Sequence, residues 1–355
     1  MNGTYEELCA EAYHLQTNFF FQSIQFFFVV FTITGIILIL YVSVNMITKK
    51  IFHINLRILL INLLALLLFR SFVTLFRSSS FISRMVAYKD PCLFLMNSIK
   101  CSILSSFGSA PVKCLAYAFI AITIERFLAM CFYQRYEKWK YPVALAFIPL
   151  TWFEFAMEMK STALKFHKLM TLYESQKKYK SYCSSITSNP IPYLKLVLEI
   201  PVLIGILFLL LLTRIISKRK MILQMRASVD TLSSRYQIWE NMKTSKTMFI
   251  ATIMFIISSS FNLSGTLLLM YFPPSDFLNF AVFKEIKSLA LTVFINAISI
   301  LFIIRVEQMH NKTIKRLLNF GCCPSNKVGE QTNQPLSGRQ HIEIIEQMWE
   351  KEIRK

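Results

Sequence analysis

Seven apolar blocks, each of a length that suits a membrane-spanning helix, leave this chain few other ways to fold. A hydrocarbon core about 30 Å thick takes roughly 20 apolar residues of helix. The blocks are residues 24–47, 54–76 (with "LLINLLALLLF"), 100–124, 141–158, 193–216 (with "VLIGILFLLLL"), 247–272 and 286–304. The fourth is the shortest and weakest. Only 17% of the residues are charged, whereas a soluble domain carries about a quarter, so the chain reads as an integral membrane protein. With 32 Phe and only 8 Gly, it favours helices over the short alternating strands of a membrane barrel. The expected fold is an all-α membrane protein, a seven-transmembrane helix bundle.

Loop charges set the expected direction. With the N-terminus outside and the C-terminus cytosolic, 24 Lys and Arg fall on the cytosolic side and 13 outside, with Arg70 and Lys113 inside spans. That is the positive-inside pattern. One outer loop, "KFHKLMTLYESQKKYKSYC", runs against it. The expected organisation is an extracellular N-terminus (1–23), a seven-span domain (24–304), a juxtamembrane amphipathic helix (305–323) and a cytosolic tail (324–355). The first eighteen residues are polar and lack Lys and Arg, unlike a cleavable signal peptide. Asn2-Gly3-Thr4 is a glycosylation acceptor if that end is lumenal. In the tail, Ile314, Leu317, Leu318 and Phe320 can share a face opposite Lys312, Lys315 and Arg316, as in a helix lying on a membrane surface. Cys322 and Cys323 follow as a palmitoylation site or as two unmodified thiols.

The net charge of +19 is explained by basic residues flanking spans rather than by nucleic-acid binding. No phosphate loop, dinucleotide fingerprint or zinc-protease helix is present. The eight cysteines include no CxxC pair, so neither a metal nor a cofactor is expected. Clustered nucleophiles and bases are absent too, which argues against an enzyme.

Glu125 and Arg126 stand side by side where the third apolar block ends. A charge at the membrane border can simply snorkel into water. The sharper expectation is a switch, in which the carboxylate holds the Arg at rest and helix movement releases it to a cytosolic partner. About 25 residues at 1.5 Å each carry the same helix across the bilayer from Cys101. Cys101 would face an oxidising lumen, as would Cys183 in the next outer loop, and the two are expected to pair. Cys92 is the rival partner for Cys183, and Cys9 takes whichever is left over. Before the sixth block, "LSSRYQIWENMKTSK" places Leu232, Tyr236 and Trp239 at helical spacing. This is expected to extend the sixth helix inward, with Arg235 and Glu240 near Arg126, as a partner-binding face or as a packed surface helix. Lys113, Glu154 and Glu199 are ionisable groups inside spans, where such groups face a wet cavity or a partner. Lys113 with Glu199 or Glu154 is expected as a buried pair, either lining a ligand pocket or purely structural.

A cysteine opening the third span, an acid-Arg-aromatic triplet (Glu125, Arg126, Phe127) closing it and a cysteine in the second outer loop resemble a G-protein-coupled receptor. "FHINLR" before the second span, "ERFLAMCFYQRYE" and "LSSRYQIWEN" narrow this further. Together they resemble the nematode serpentine chemoreceptors of the superfamily with alpha, alpha/beta, beta and epsilon classes. Glu125, Arg126, Ala129 and Tyr136-Glu137 resemble class epsilon most, with alpha/beta next. Leu232, Ser233, Arg235, Tyr236, Gln237, Glu240 and Asn241 match the block these classes share. The resemblance implies a plasma-membrane receptor, in sensory cilia, that binds an extracellular small molecule and signals to a cytosolic heterotrimeric G protein. It assigns coupling to Glu125, Arg126, Phe127, Arg235, Tyr236, Gln237, Glu240 and Asn241. The seventh span lacks Asn-Pro-x-x-Tyr and the sixth lacks a central Pro, so rhodopsin-like activation levers are absent. Receptor dimers stay open. The alternative function is a ligand-gated chemosensory channel of inverted topology, which would put the N-terminus in the cytosol.

Overall fold

The computed structural model describes residues 5–49, 52–87, 90–132, 136, 144–171, 179–183, 193–227, 232–271 and 276–321. Within them, eight α-helices make up almost the whole fold: α1 (Tyr5–Thr17), α2 (Phe19–Lys49), α3 (Ile54–Ala87), α4 (Ser98–Cys131), α5 (Ala144–Thr171), α6 (Tyr193–Ala227), α7 (Leu232–Tyr271) and α8 (Phe277–Gly321). A 3-10 turn (Pro91–Phe94) and two short antiparallel strands, β1 (Met96–Asn97) and β2 (Tyr179–Lys180), complete it.

Polar caps begin several helices. Asn18 accepts from the Phe21 amide (3.1 Å) at the start of α2. Asp276 accepts from the Leu278 amide (3.1 Å) at the start of α8. Both side chains satisfy amides that a helix start leaves bare. Pro111, Pro149 and Pro201 lie inside α4, α5 and α6, a placement tolerated in membrane helices because neighbouring groups re-satisfy the freed carbonyls.

Six helices carry segments long and apolar enough to cross a membrane: Phe19–Thr48, Ile54–Ala87, Lys100–Cys131, Pro201–Lys220, Met242–Leu269 and Phe277–Glu307. The expected fourth span falls on α5, which is long enough at 28 residues but carries Glu154, Glu158 and Lys160 and does not reach the apolarity of the others. Two boundaries change meaning. The helix of the second span runs past residue 76 to Ala87, and that of the seventh begins at Phe277 rather than 286. Arg77, Lys284 and Glu285 are thereby brought into the helical bundle. At its other end α8 runs unbroken to Gly321, so the backbone of the juxtamembrane segment continues the last helix.

α4 is the hub, packed against α3, α5, α6 and α7, while α2 lies between α3 and α8 and closes the ring. The core includes Leu59, Leu63, Leu66, Phe119, Ile122, Phe255, Phe294, Ile298 and Phe302. Phe119 stacks on Phe255 (5.0 Å), which meets Phe294 (5.6 Å), an aromatic column joining α4, α7 and α8. Polar bonds between helices replace the missing water. Asn62 donates to Thr151 (3.1 Å) and accepts from the Trp152 indole (2.8 Å), tying α3 to α5. Asn296 donates to the Phe31 carbonyl (2.9 Å), tying α8 to α2. A methyl group on Gly35 of α2 would touch Ile295 and Asn296, so the small residue allows the close approach usual between membrane helices. The outer surface displays Phe26, Phe72, Phe76, Phe153, Phe208 and Phe261, far more exposed apolar area than a water-soluble monomer shows.

Candidate functional site

The Glu125–Arg126 pair does not snorkel. Glu125 is fully buried and Arg126 is 2% exposed, because four elements close over the end of α4. Arg126 Nε donates to Glu125 Oε2 and Nη2 to Oε1, both at 2.5 Å, a two-pronged pair between neighbours on one helix. Tyr136, beyond the end of α4, donates its hydroxyl to Glu125 Oε1. Asn55 at the start of α3 donates to the same hydroxyl at 2.8 Å, and His53 packs against the Tyr136 ring at 4.8 Å. From α7, the Thr244 hydroxyl lies 3.4 Å from Arg126 Nη1. Lys220 of α6 donates to the Met130 carbonyl (3.1 Å), placing a cation at the negative end of the α4 dipole. Burial, and then the Glu125 carboxylate, push the Tyr136 phenol well above its ordinary range. It therefore stays protonated and acts as a donor.

Phe127 is half-buried beside this network. Arg235, Tyr236, Gln237, Glu240 and Asn241 lie on the same α7 that delivers Thr244, but their side chains fall outside the described ones. Asn55, Tyr136 and Thr244 escaped the sequence reading as contacts. The first two sit in the "FHINLR" and "ERFLAMCFYQRYE" blocks that carried the resemblance, and that was the available signal.

The opposite end holds two disulfides, Cys9–Cys92 and Cys101–Cys183. They fasten α1 to the 3-10 turn and α4 to the segment after β2. Asn2, Cys322 and Cys323 lie outside the described residues.

Below the disulfides sits a second buried ionic cluster. Glu285, fully buried, pairs with Arg77 (2.7 Å) and Lys284 (3.0 Å) and accepts from the Tyr182 hydroxyl. Lys284 lies 5.2 Å from the Tyr182 ring centre and Arg77 5.5 Å from that of Phe28. Tyr182 is pushed well above its ordinary range by burial first and Glu285 second. Nearby, Lys287 donates to Thr266 Oγ1, and Arg70 donates to the Gly108 carbonyl at 2.5 Å. The sequence reading missed this cluster because it ended the second span at 76 and began the seventh at 286. The Asp276 cap was the overlooked sign that α8 starts earlier.

Lys113 pairs with Glu158 at 2.7 Å, rather than with Glu154. Glu158 is one helical turn beyond Glu154 on the same face of α5. Lys113 is 33% exposed and Glu158 18%, so the pair is only partly buried. The Glu199 side chain lies outside the described ones.

Comparisons with known proteins place this geometry. A family profile described as serpentine type 7TM GPCR receptor class ab chemoreceptor matches residues 6–321. The serpentine receptor class alpha/beta-14 of Caenorhabditis elegans is 23% identical over 376 aligned positions, covering 98% of this chain and 94% of that one. Both matches correct the class: it is alpha/beta, not epsilon. Glu125, Arg126, Ala129 and Tyr136 belong to a block that marks the superfamily more than any one class. The match is to receptors rather than to an enzyme family. The chain belongs to the serpentine class ab chemoreceptors, seven-transmembrane G-protein-coupled receptors of chemosensation.

Proposed function

We propose that the chain crosses the membrane seven times, with the disulfide end outside and the Glu125 end in the cytosol. In this reading the Glu125–Arg126–Tyr136 network is the latch of the resting receptor. The observation that carries it is the burial of Arg126. A guanidinium at the cytosolic end of a receptor bundle is sealed by its own neighbour and by groups from α3, α7 and the segment after α4. Such an arrangement has two discrete states, closed as seen here or opened by outward movement of α7, which would uncover Arg126 for a heterotrimeric G protein. Both disulfides lie at the other end, which supports its exposure to an oxidising compartment. α5 supplies the fourth crossing, its Glu158 paired with Lys113 rather than left bare in lipid.

The test is topology followed by coupling. Tags on both termini are probed with antibody before and after permeabilisation, and Asn2 is assayed for glycan. An N-terminus reached in intact cells and a tail reached only after permeabilisation support the reading. The reverse pattern would put Arg126 outside, remove the latch and favour an inverted channel. With the topology as proposed, Glu125→Gln with Arg126→Gln, which leaves no lone charge buried, should abolish activation of a G protein per surface receptor.

A further inference from the structure

α3 and α4 part near the disulfide end and leave a crevice of about 800 Å³. Two stripes at helical spacing face it. Phe72, Phe76, Ser80 and Arg84 succeed one another every four residues along α3, and Lys100, Leu104 and Phe107 run down α4. The distance from Phe72 to Arg84, 12 residues of helix, is about 18 Å, so the crevice is long and parallel to the bundle axis. Its chemistry is graded along that length. Both cations, Arg84 and Lys100, stand at the disulfide end, and the apolar rings lie deeper. Among the described residues, no Asp or Glu lines it. Phe72 and Phe76 are 52% and 65% exposed, so the crevice opens sideways where lipid would be, under a cap that includes Tyr179.

We propose that this crevice binds a single-chain anionic amphiphile, a long-chain carboxylate, that enters sideways from the outer leaflet. The head lies between Arg84 and Lys100, and the chain runs down between the α3 and α4 stripes. Its volume is that of a pocket for one small ligand, about 300–1,000 Å³, which favours one chain over a two-chain phospholipid. The chain gains little on leaving lipid, because acyl tails are as apolar as the pocket wall. Selectivity therefore comes from the head, where each guanidinium or ammonium contact is charge-assisted. Only the placement in the outer leaflet rests on the topology proposed above; the site itself does not.

The experiment uses the full-length receptor in phosphatidylcholine nanodiscs and a hexadecanoate carrying a photoreactive group near its tail end. The matched alcohol is the neutral control. Saturable labelling of the Phe76 and Phe107 region is expected, about tenfold or more weaker for the alcohol and for Arg84→Gln or Lys100→Gln. Ser80→Trp, which fills the crevice from the lipid side, should block labelling while thermal unfolding of the receptor stays as in the unaltered protein. Equal, unsaturable labelling by acid and alcohol would overturn the proposal. So would displacement of the acid by phosphatidylglycerol at equal mole fraction, which would make the crevice a phospholipid headgroup site. None of these readouts needs a G protein or a known topology. Failure of the labelling overturns the site alone, and failure of the topology or coupling tests overturns the latch and leaves the site standing.

Discussion

Tyr136→Phe is the sharpest test of the latch, because it deletes one oxygen and keeps the ring packed on His53. That oxygen donates to Glu125 and accepts from Asn55. Asn55 Oδ1 already has no partner, so the substitution also strips its amide. Glu125 and Arg126 are 0% and 2% exposed, so solvent does not screen the loss. A buried hydrogen bond to a charged group is worth about 1.5–3 kcal/mol. If the bond exists only in the closed state, the open-to-closed ratio rises about 10- to 150-fold. A receptor that is roughly 1% open at rest would then be about one tenth to three fifths open without ligand. The assay is ligand-free activation of a panel of G-protein dissociation sensors, normalised to surface receptor. Tyr41→Phe is the control, since its hydroxyl reaches only exposed Glu307 at 3.5 Å; it should leave basal signalling unchanged. If Tyr136→Phe lowers the melting temperature but leaves basal signalling at the unaltered level, the network is packing and not a latch.

Other outcomes follow from the same geometry. Glu285→Gln strands Arg77 and Lys284 in a buried site, a loss of about 3–5 kcal/mol, and should abolish surface expression; Arg77→Met with Glu285→Leu should restore part of it. Gly108→Ala would set a methyl carbon 2.9 Å from Arg70 Nη1, push the guanidinium off the Gly108 carbonyl and cost about 1–3 kcal/mol in thermal stability. Gly205→Ala, with nothing within 4 Å, should instead be neutral or stabilise by up to about 1 kcal/mol. Tyr136 is raised in the folded state, so its contribution is fully present below the ordinary tyrosine value of about 10 and is lost only as pH rises towards and through the folded value. On its account, basal signalling should be flat between about pH 6 and pH 8.

The helical architecture was legible because apolar blocks near 20 residues long have few other readings. Their ends were not. A helix does not stop where apolarity stops: α3 continues through Arg77 and Arg84 to Ala87, and α8 starts at the Asp276 cap ahead of Lys284 and Glu285. Trimming spans to the apolar run therefore hid one of the two buried ionic clusters. At the other, the local sequence singled out Glu125–Arg126, but burial depends on what covers it. Asn55 is 70 residues away in the chain and Thr244 more than 100, and no local pattern brings them together. The Lys113 partner failed for a similar reason. Helical spacing put Glu154 and Glu158 on one face of α5, yet choosing between them requires the axial register of α4 against α5, which is set by packing.

The proposed latch also demands an element that can move relative to α4. Glu125 and Arg126 lie on the same helix and travel together, so their ion pair survives any rigid shift of α4. Among the described contacts, those that can break without separating them come from other elements and include Tyr136 and Thr244. Thr244 makes the weaker one, at 3.4 Å, near the limit of a useful hydrogen bond. The same helix is held about 33 Å away, 22 residues along, where Thr266 accepts from Lys287 of α8. Between these points α7 leans on its neighbours through Phe255, sandwiched by Phe119 and Phe294. A buried lysine does not readily lose its acceptor. Among the described contacts, α7 is tied to α8 through Lys287 at the disulfide end, packs through Phe255 at its middle and reaches Arg126 through Thr244 at the Glu125 end. The motion that the proposed latch requires is a tilt about the Phe255 contact that carries Thr244 away from Arg126.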